Sequence, residues 1–256
     1  MHCVIKLIMA PLLLIIIFIS VLVTSFLSGI LGMAGGMILM GVLTSILPVQ
    51  QAMMLHATSQ FFSNASRAFI HREHIHFKSI KYYAAGLACS VVLFSLVNFI
   101  PGKFAVFMMM GIGPFIPLLA RGRVKFDFMK PWQSFFCGVI VTCFQLTAGV
   151  AGPLLDMFFQ RIDMTRHQVI ATKAFSQSIS HVTKFIYFGF IVRQAQSASS
   201  PLPLWIYFAV IPVAIIGNHF ATYVLNRLTD NQFYTATQIM LWSIGAIYIS
   251  KALFLL

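Results

Sequence analysis

The feature that most constrains this chain is a series of long apolar runs, at roughly 8–30, 80–99, 104–120, 133–150, 203–225 and 232–255. A helix needs about 20 residues, at about 1.5 Å each, to cross a hydrocarbon core of roughly 30 Å, and most of these runs reach that length. Two further stretches, 52–71 and 168–190, have the length but carry many polar groups. Only a segment buried among other helices, or lining a wet cavity, tolerates that. Composition closes the soluble alternative: 59% of the 256 residues are hydrophobic and 9% charged, against about 25% charged in soluble domains. The expected fold class is an all-α polytopic membrane protein of about eight transmembrane helices.

Two apolar pieces are too short to cross alone. As helices, residues 33–47 would reach about 22 Å and residues 153–160 about 12 Å. Each follows a glycine-rich break, which predicts a pair of short re-entrant helices with their irregular backbone shielded inside the protein. If both pieces cross instead, the chain has ten spans. The gaps holding Arg72, Lys78 and Lys81, and Arg121, Arg123, Lys125 and Lys130, lie two spans apart and therefore on one side. The positive-inside tendency makes that side cytoplasmic. Loop charge does not separate eight spans from ten; length favours eight, with both termini inside. The first run, from Leu7, exceeds the apolar core of about 7–15 residues in a cleavable signal and reads as a retained span.

The net charge of +12 does not indicate nucleic acid, because the cations cluster in short gaps between apolar runs. Cys3, Cys89, Cys137 and Cys143 have no CxxC spacing and read as small packing residues. The run His71-Arg72-Glu73-His74-Ile75-His76 lacks a recognised ligand spacing and is flanked by cations, so it reads as a solvated interfacial loop. Neither a metal nor a cofactor is expected.

The two halves, 1–125 and 126–256, resemble each other. Ala57-Thr58-Ser59-Gln60-Phe61 aligns with Ala171-Thr172-Lys173-Ala174-Phe175 at an offset of 114. Upstream, Gly32-Met33-Ala34-Gly35-Gly36 corresponds to Gly149-Val150-Ala151-Gly152-Pro153 at roughly the same offset. Each half reads as span, glycine break, short helix, polar span, two more spans. Interrupted hydrophobic segments at corresponding places in two halves are a sequence pointer to a transporter's binding site. A glycine-rich turn after the first span, a polar A-T-x-x-F helix and a second copy reading G-x-x-G-P-L-L resemble the sulfite exporter TauE/SafE family over nearly the whole chain. The first turn departs from it, reading G-M-A-G-G where the family often has three glycines in a row. The resemblance implies a secondary carrier for sulfite, organosulfonates or similar small anions in the bacterial inner (plasma) membrane.

The residues themselves point to where an anion would sit. Lys173, Gln177, Ser180, His181 and Lys184 share one face of the second polar span, and Ser59, Ser63, Ser66 and Arg67 match the first four of them in the first half. A lysine near the middle of a bilayer costs at least about 2.5–3.5 kcal/mol, so it calls for a partner, water or a negative substrate. Interhelical glue is the plainer account of the serines and Gln177. Lys184, nearer the helix end, has the option of snorkelling to the interface. A short helix starting at Gly36 or Pro153 aims unpaired N–H groups at whatever precedes it, and missing Cβ atoms allow close approach. The competing account of Gly32 and Gly36 is GxxxG packing. The candidate substrate-binding set is thus Gly32, Gly35, Gly36, Thr58, Ser59, Gly149, Gly152, Pro153, Thr172, Lys173 and Gln177. Asp156 and His181 are candidates for a coupling proton, although Asp156 also suits a helix N-terminus or a pair with Lys173.

An anion carrier explains these features best, with the two repeats rearranging around a central site. There is no nucleotide loop of the GxxxxGK[ST] type, and no HExxH, GxSxG or close carboxylate pair in the apolar segments, so neither ATP hydrolysis nor an enzyme is expected. A membrane-anchored assembly subunit is the alternative. The expected partners are a small anionic substrate, the lipid bilayer and, as an option, a second copy in a homodimer.

Overall fold

The computed structural model describes the chain except for Met1, Gly32, residues 121–125, 160–162 and 193–201, Asn226, Leu228 and Thr229. The described residues contain no strand. In order they form α1 (His2–Leu31), α2 (Met33–Ile46), α3 (Val49–Ile70), α4 (Phe77–Leu96), α5 (Lys103–Ile112), α6 (Phe115–Ala120), α7 (Pro131–Thr147), α8 (Gly152–Met157), α9 (Arg166–Ile186), α10 (Leu204–Leu225) and α11 (Asp230–Leu253). A 3₁₀ turn (Arg72–His74) follows α3, and a π-helical turn (Tyr187–Ile191) continues α9.

Each expected apolar run is helical over most of its length, with two further differences. The run 104–120 is divided into α5 and α6 by a turn at Gly113 and Pro114, where proline has no N–H to extend the α5 ladder. The first short helix starts at Met33, not at Gly36, so Gly35 and Gly36 lie inside its first turn. Local signals set the other starts. Proline occupies the first turn of α7, and Thr165 with Gln168 forms a reciprocal capping box at the start of α9.

Among the described residues, four segments are long and apolar enough to cross a membrane: Pro11–Ile30, Phe77–Leu96, Lys103–Ala120 and Leu204–Ala221. The polar helices α3 and α9 match them in length, with 22 and 21 residues. By contrast α2 has 14 residues and α8 has six, which rise about 21 and 9 Å and fall short of the core thickness.

The helices pack in pairs: α1 on α10, α4 on α7, α5 on α11 and α3 on α9. The first two pairs cross at glycines. A Cβ on Gly86 would lie 2.0 Å from the Phe135 carbonyl oxygen, and one on Gly138 would lie 2.1 Å from that of Tyr83. Such backbone proximity drives helix association where lipid supplies no hydrophobic contrast. One apolar cluster joins α1, α2, α3, α5, α10 and α11 through residues such as Leu39, Leu55, Phe107 and Val210. A smaller one, with Ile80, Leu87, Cys137 and Leu155, joins α4, α7 and α8. Ile15 and Ile19 on α1, Val92 and Leu93 on α4, and Phe208 and Phe220 on α10 are exposed, as the lipid-facing side of a membrane protein requires. The expected boundary between the halves, at 125, lies outside the described residues.

Candidate functional site

The two glycine breaks meet in space. Helix α2 lies across the segment joining α7 to α8, and its methionines fill the space that side chains there would need. A Cβ on Gly149 would come within 2.6 Å of the Met40 sulfur, and one on Gly152 within 2.5 Å of that of Met33. Gly149 also has φ +77°, a left-handed conformation that favours glycine. A small apolar cavity beside this contact is lined by Met37, Phe144, Val150 and Pro153, among others.

A chain of hydrogen bonds ties the two breaks together through the polar helices. His56 on α3 holds the Gly36 carbonyl oxygen at 2.9 Å through Nε2. A carbonyl only accepts, so Nε2 carries the hydrogen and Nδ1 is left as an acceptor. Lys184 on α9 donates to that Nδ1 at 2.8 Å and to the Gly149 carbonyl oxygen at 2.7 Å. One turn earlier on α9, His181 receives the Gln145 amide nitrogen at Nδ1, 2.9 Å away, and its ring centre is 5.6 Å from that of His56. Tyr83 of α4 bonds the neighbouring Ser180 hydroxyl.

The snorkelling expected of Lys184 does not occur: the residue is 0% exposed. The reason lies beyond α9. The chain continues as the π-helical turn, with Tyr187 and Phe188 buried, and Tyr187 donates to the carbonyls of Phe94 and Phe99. Gln50 donates to the Phe188 carbonyl. These contacts cover the end of α9.

Lys173 sits differently. It forms an ion pair with Asp156 of α8, and each side chain is 27% exposed. Asp156 thus pairs with Lys173, one of the roles considered for it, and stands in the last turn of α8, not at the helix N-terminus. Lys173 lies about 16 Å along α9 from Lys184. Thr172 is buried and its hydroxyl accepts the His76 N–H at 3.0 Å, which anchors the α3–α4 connection. Thr58 donates to the Met54 carbonyl within its own helix. Ser59 is fully buried, and among the described residues its hydroxyl has no hydrogen-bond partner; nor has the buried amide nitrogen of Gln60, whose amide oxygen adjoins Gly36. Gly35 serves packing, since a Cβ there would lie 2.2 Å from the Thr24 carbonyl oxygen of α1. Gln177 is half-buried and Pro153 buried. Gly32 lies outside the described residues.

The fold therefore brings Gly36, Gly149 and His181 together and keeps Lys173, Thr172 and Asp156 apart from them. Sequence reasoning missed His56, Gln60 and Gln145. The first two were legible, because the three-and-four spacing of the α3 polar stripe runs back from Ser63 through Ser59 and Gln60 to His56. Nothing local singles out Gln145. The histidine loop packs against α9, with the rings of His71 and His74 centred 5.7 and 5.4 Å from that of His167, and among the described residues no group could hold a metal ion.

Chemically, the crossing of α3 and α9 offers a lysine amine, two imidazoles, amides and a hydroxyl. Among the described residues no carboxylate bonds any of them. Such a set attracts negative charge. The model of one protein family, described as Sulfite exporter TauE/SafE, matches residues 16–248, nearly the whole chain. Proteins of that family are multi-pass membrane transporters of small sulfur anions and not enzymes. No curated protein and no solved structure matches the chain.

Proposed function

Because the chain belongs to the sulfite exporter TauE/SafE family, we propose that it is a secondary carrier moving a small sulfur oxyanion, such as sulfite or an organosulfonate, across the bacterial inner membrane. The anion is held between the two glycine breaks and the facing polar sides of α3 and α9. One observation carries this reading: Lys184 is fully buried and, among the described residues, has only neutral acceptors, a ring nitrogen and a carbonyl oxygen. A buried cation without a counter-charge is unfavourable by several kcal/mol, and a visiting anion supplies what the fold omits. Ser59 and Gln60 add buried donors that have no partner among the described residues. Lys173, paired with Asp156 and part-exposed, belongs to the rim of the path and meets the anion before Lys184 does.

In this reading eight helices cross the membrane, α2 and α8 are re-entrant, and residues 1–125 and 126–256 are copies of one unit. The pairing of helices supports the duplication. If α1, α3, α4 and α5 with α6 correspond to α7, α9, α10 and α11, then α1 on α10 maps onto α7 on α4, while α3 on α9 and α5 on α11 map onto themselves. Alternating access then comes from rearrangement of the two units around the site. Flux of labelled sulfite, thiosulfate and methanesulfonate into liposomes containing the purified protein tests the reading. Selective uptake that Lys184→Gln abolishes is the expected result. A folded protein that moves none of the three overturns it in favour of an assembly subunit.

A further inference from the structure

The surroundings of Lys184 bear on what travels with the anion. From α3 comes His56, and from α9 His181, and these with Lys184 are the titratable groups that act on one another there. Helix α2 contributes only the Gly36 carbonyl, and α7 gives Gln145 and the Gly149 carbonyl at its end. From α4, Tyr83 reaches Ser180 beside His181. The carboxylate of α8, Asp156, is engaged by Lys173. Among the described residues, nothing fixed in the site balances a charge on Lys184.

The hydrogen bonds allow Lys184 two states. Nζ donates to two acceptors, His56 Nδ1 and the Gly149 oxygen. A neutral amine has two N–H groups and an ammonium has three, so both bonds survive in either form. His56 is held to one form while Lys184 is charged, because Nε2 donates to Gly36 and Nδ1 must stay an acceptor. The pair thus holds no excess proton or one, and not two. With one, the ammonium has a third N–H to offer an anion. A lone ammonium and a lone anion are each unfavourable in an apolar interior, and together they are not.

Resting on the carrier reading, we propose that Lys184 takes up one proton with each anion and releases it with that anion on the other side of the membrane, His56 acting as the positioning residue. On loading, a proton from water bonds to the Nζ lone pair. On release that N–H bond breaks and the proton returns to water on the far side, with no other bond made or broken. The sum carried is neutral for a monoanion and singly negative for a dianion.

Methanesulfonate and thiosulfate, both fully ionised near neutral pH, separate this from an electrogenic path. Full-length protein is placed in liposomes containing a trapped pH dye, and labelled uptake and internal acidification are read together under a potential set with potassium and valinomycin. The expected result is about one proton per anion for each probe, with methanesulfonate uptake insensitive to potential and thiosulfate uptake slowed by an inside-negative one. Thiosulfate alone decides the matter if methanesulfonate does not enter. Lys184→Arg, which keeps charge and donors but holds its proton permanently, and the uncharged Lys184→Gln should move no proton with whatever uptake remains. Anion uptake by the parent without acidification overturns the proposal and leaves the carrier reading intact, as does either variant retaining one proton per anion. If the folded parent takes up neither probe nor sulfite, the carrier reading falls, and this proposal with it.

Discussion

Helices α3 and α9 align at an offset of 114, pack against each other and carry a polar stripe each, yet they equip the site unequally. On α3 the strong group is His56, a ring that both donates and accepts. On α9 it is Lys184, a pure donor when charged. The position of α3 that matches Lys184 is Ile70, 72% exposed at the helix end, whereas Lys184 is 0% exposed. Likewise His56 matches Ile170. The pair that joins the breaks is therefore made between non-equivalent positions. Helices of matching pattern can share a scaffold while only one places a lysine at the glycine breaks. The same contrast holds within α9: Lys173 has a carboxylate and partial exposure, while Lys184 has neither.

Five substitutions sharpen or break this comparison. The largest effect is expected for Lys184→Met, which leaves the His56 and Gly149 acceptors empty and the site without charge. Truncating one partner of a buried charged bond costs about 2–5 kcal/mol, so initial uptake in liposomes should fall at least about 30-fold. If uptake stays within threefold of the parent, Lys184 is structural.

His56→Leu comes next. It strips a partner from the Gly36 carbonyl and from Lys184, and leaving buried polar groups unpaired costs about 1–3 kcal/mol. A lower melting temperature in detergent and a clear loss of uptake should appear together. Unchanged melting would show that the bonds through His56 do not hold α2 to α9.

The two breaks differ in the same way as the two helices. Gly149→Ala meets both a left-handed φ and the Met40 side chain, and the backbone part alone costs about 1–2 kcal/mol. Gly36→Ala brings a Cβ to 3.2 Å from the amide oxygen of Gln60, the end of a flexible side chain. Thermal denaturation should rank Gly149→Ala well below Gly36→Ala, and equal losses would remove the distinction.

Lys173→Ala should have the smallest effect. Part-exposed ion pairs contribute about 0–1 kcal/mol, so the substrate concentration for half-maximal uptake should rise a few-fold, with the maximal rate within twofold. A loss as large as that of Lys184→Met would place the binding cation at Lys173.

Much of this was legible in the chain itself. Apolar runs of spanning length located the helices because the constraint is one-dimensional: every backbone N–H must be satisfied within the helix, over a fixed thickness. The short lengths of α2 and α8 and the polar character of α3 and α9 follow from the same reading. What a one-dimensional pattern does not carry is which polar residue loses water. Lys173 sits nearer the centre of α9 and Lys184 nearer its end, and position along the helix favoured the wrong one for burial. The Tyr187 and Gln50 bonds that cover the end of α9, and Asp156 that reaches Lys173, come from segments distant in sequence. Gln145 and the Gly149 carbonyl likewise acquire meaning only once α7 stands beside α9. The sequence by itself determined that this chain lives in a bilayer and interrupts two helices with glycine. Tertiary packing alone decided that Lys184 would be the lysine to lose its water, because burial and hydrogen-bond partners are set by neighbours in space and not by neighbours in the chain.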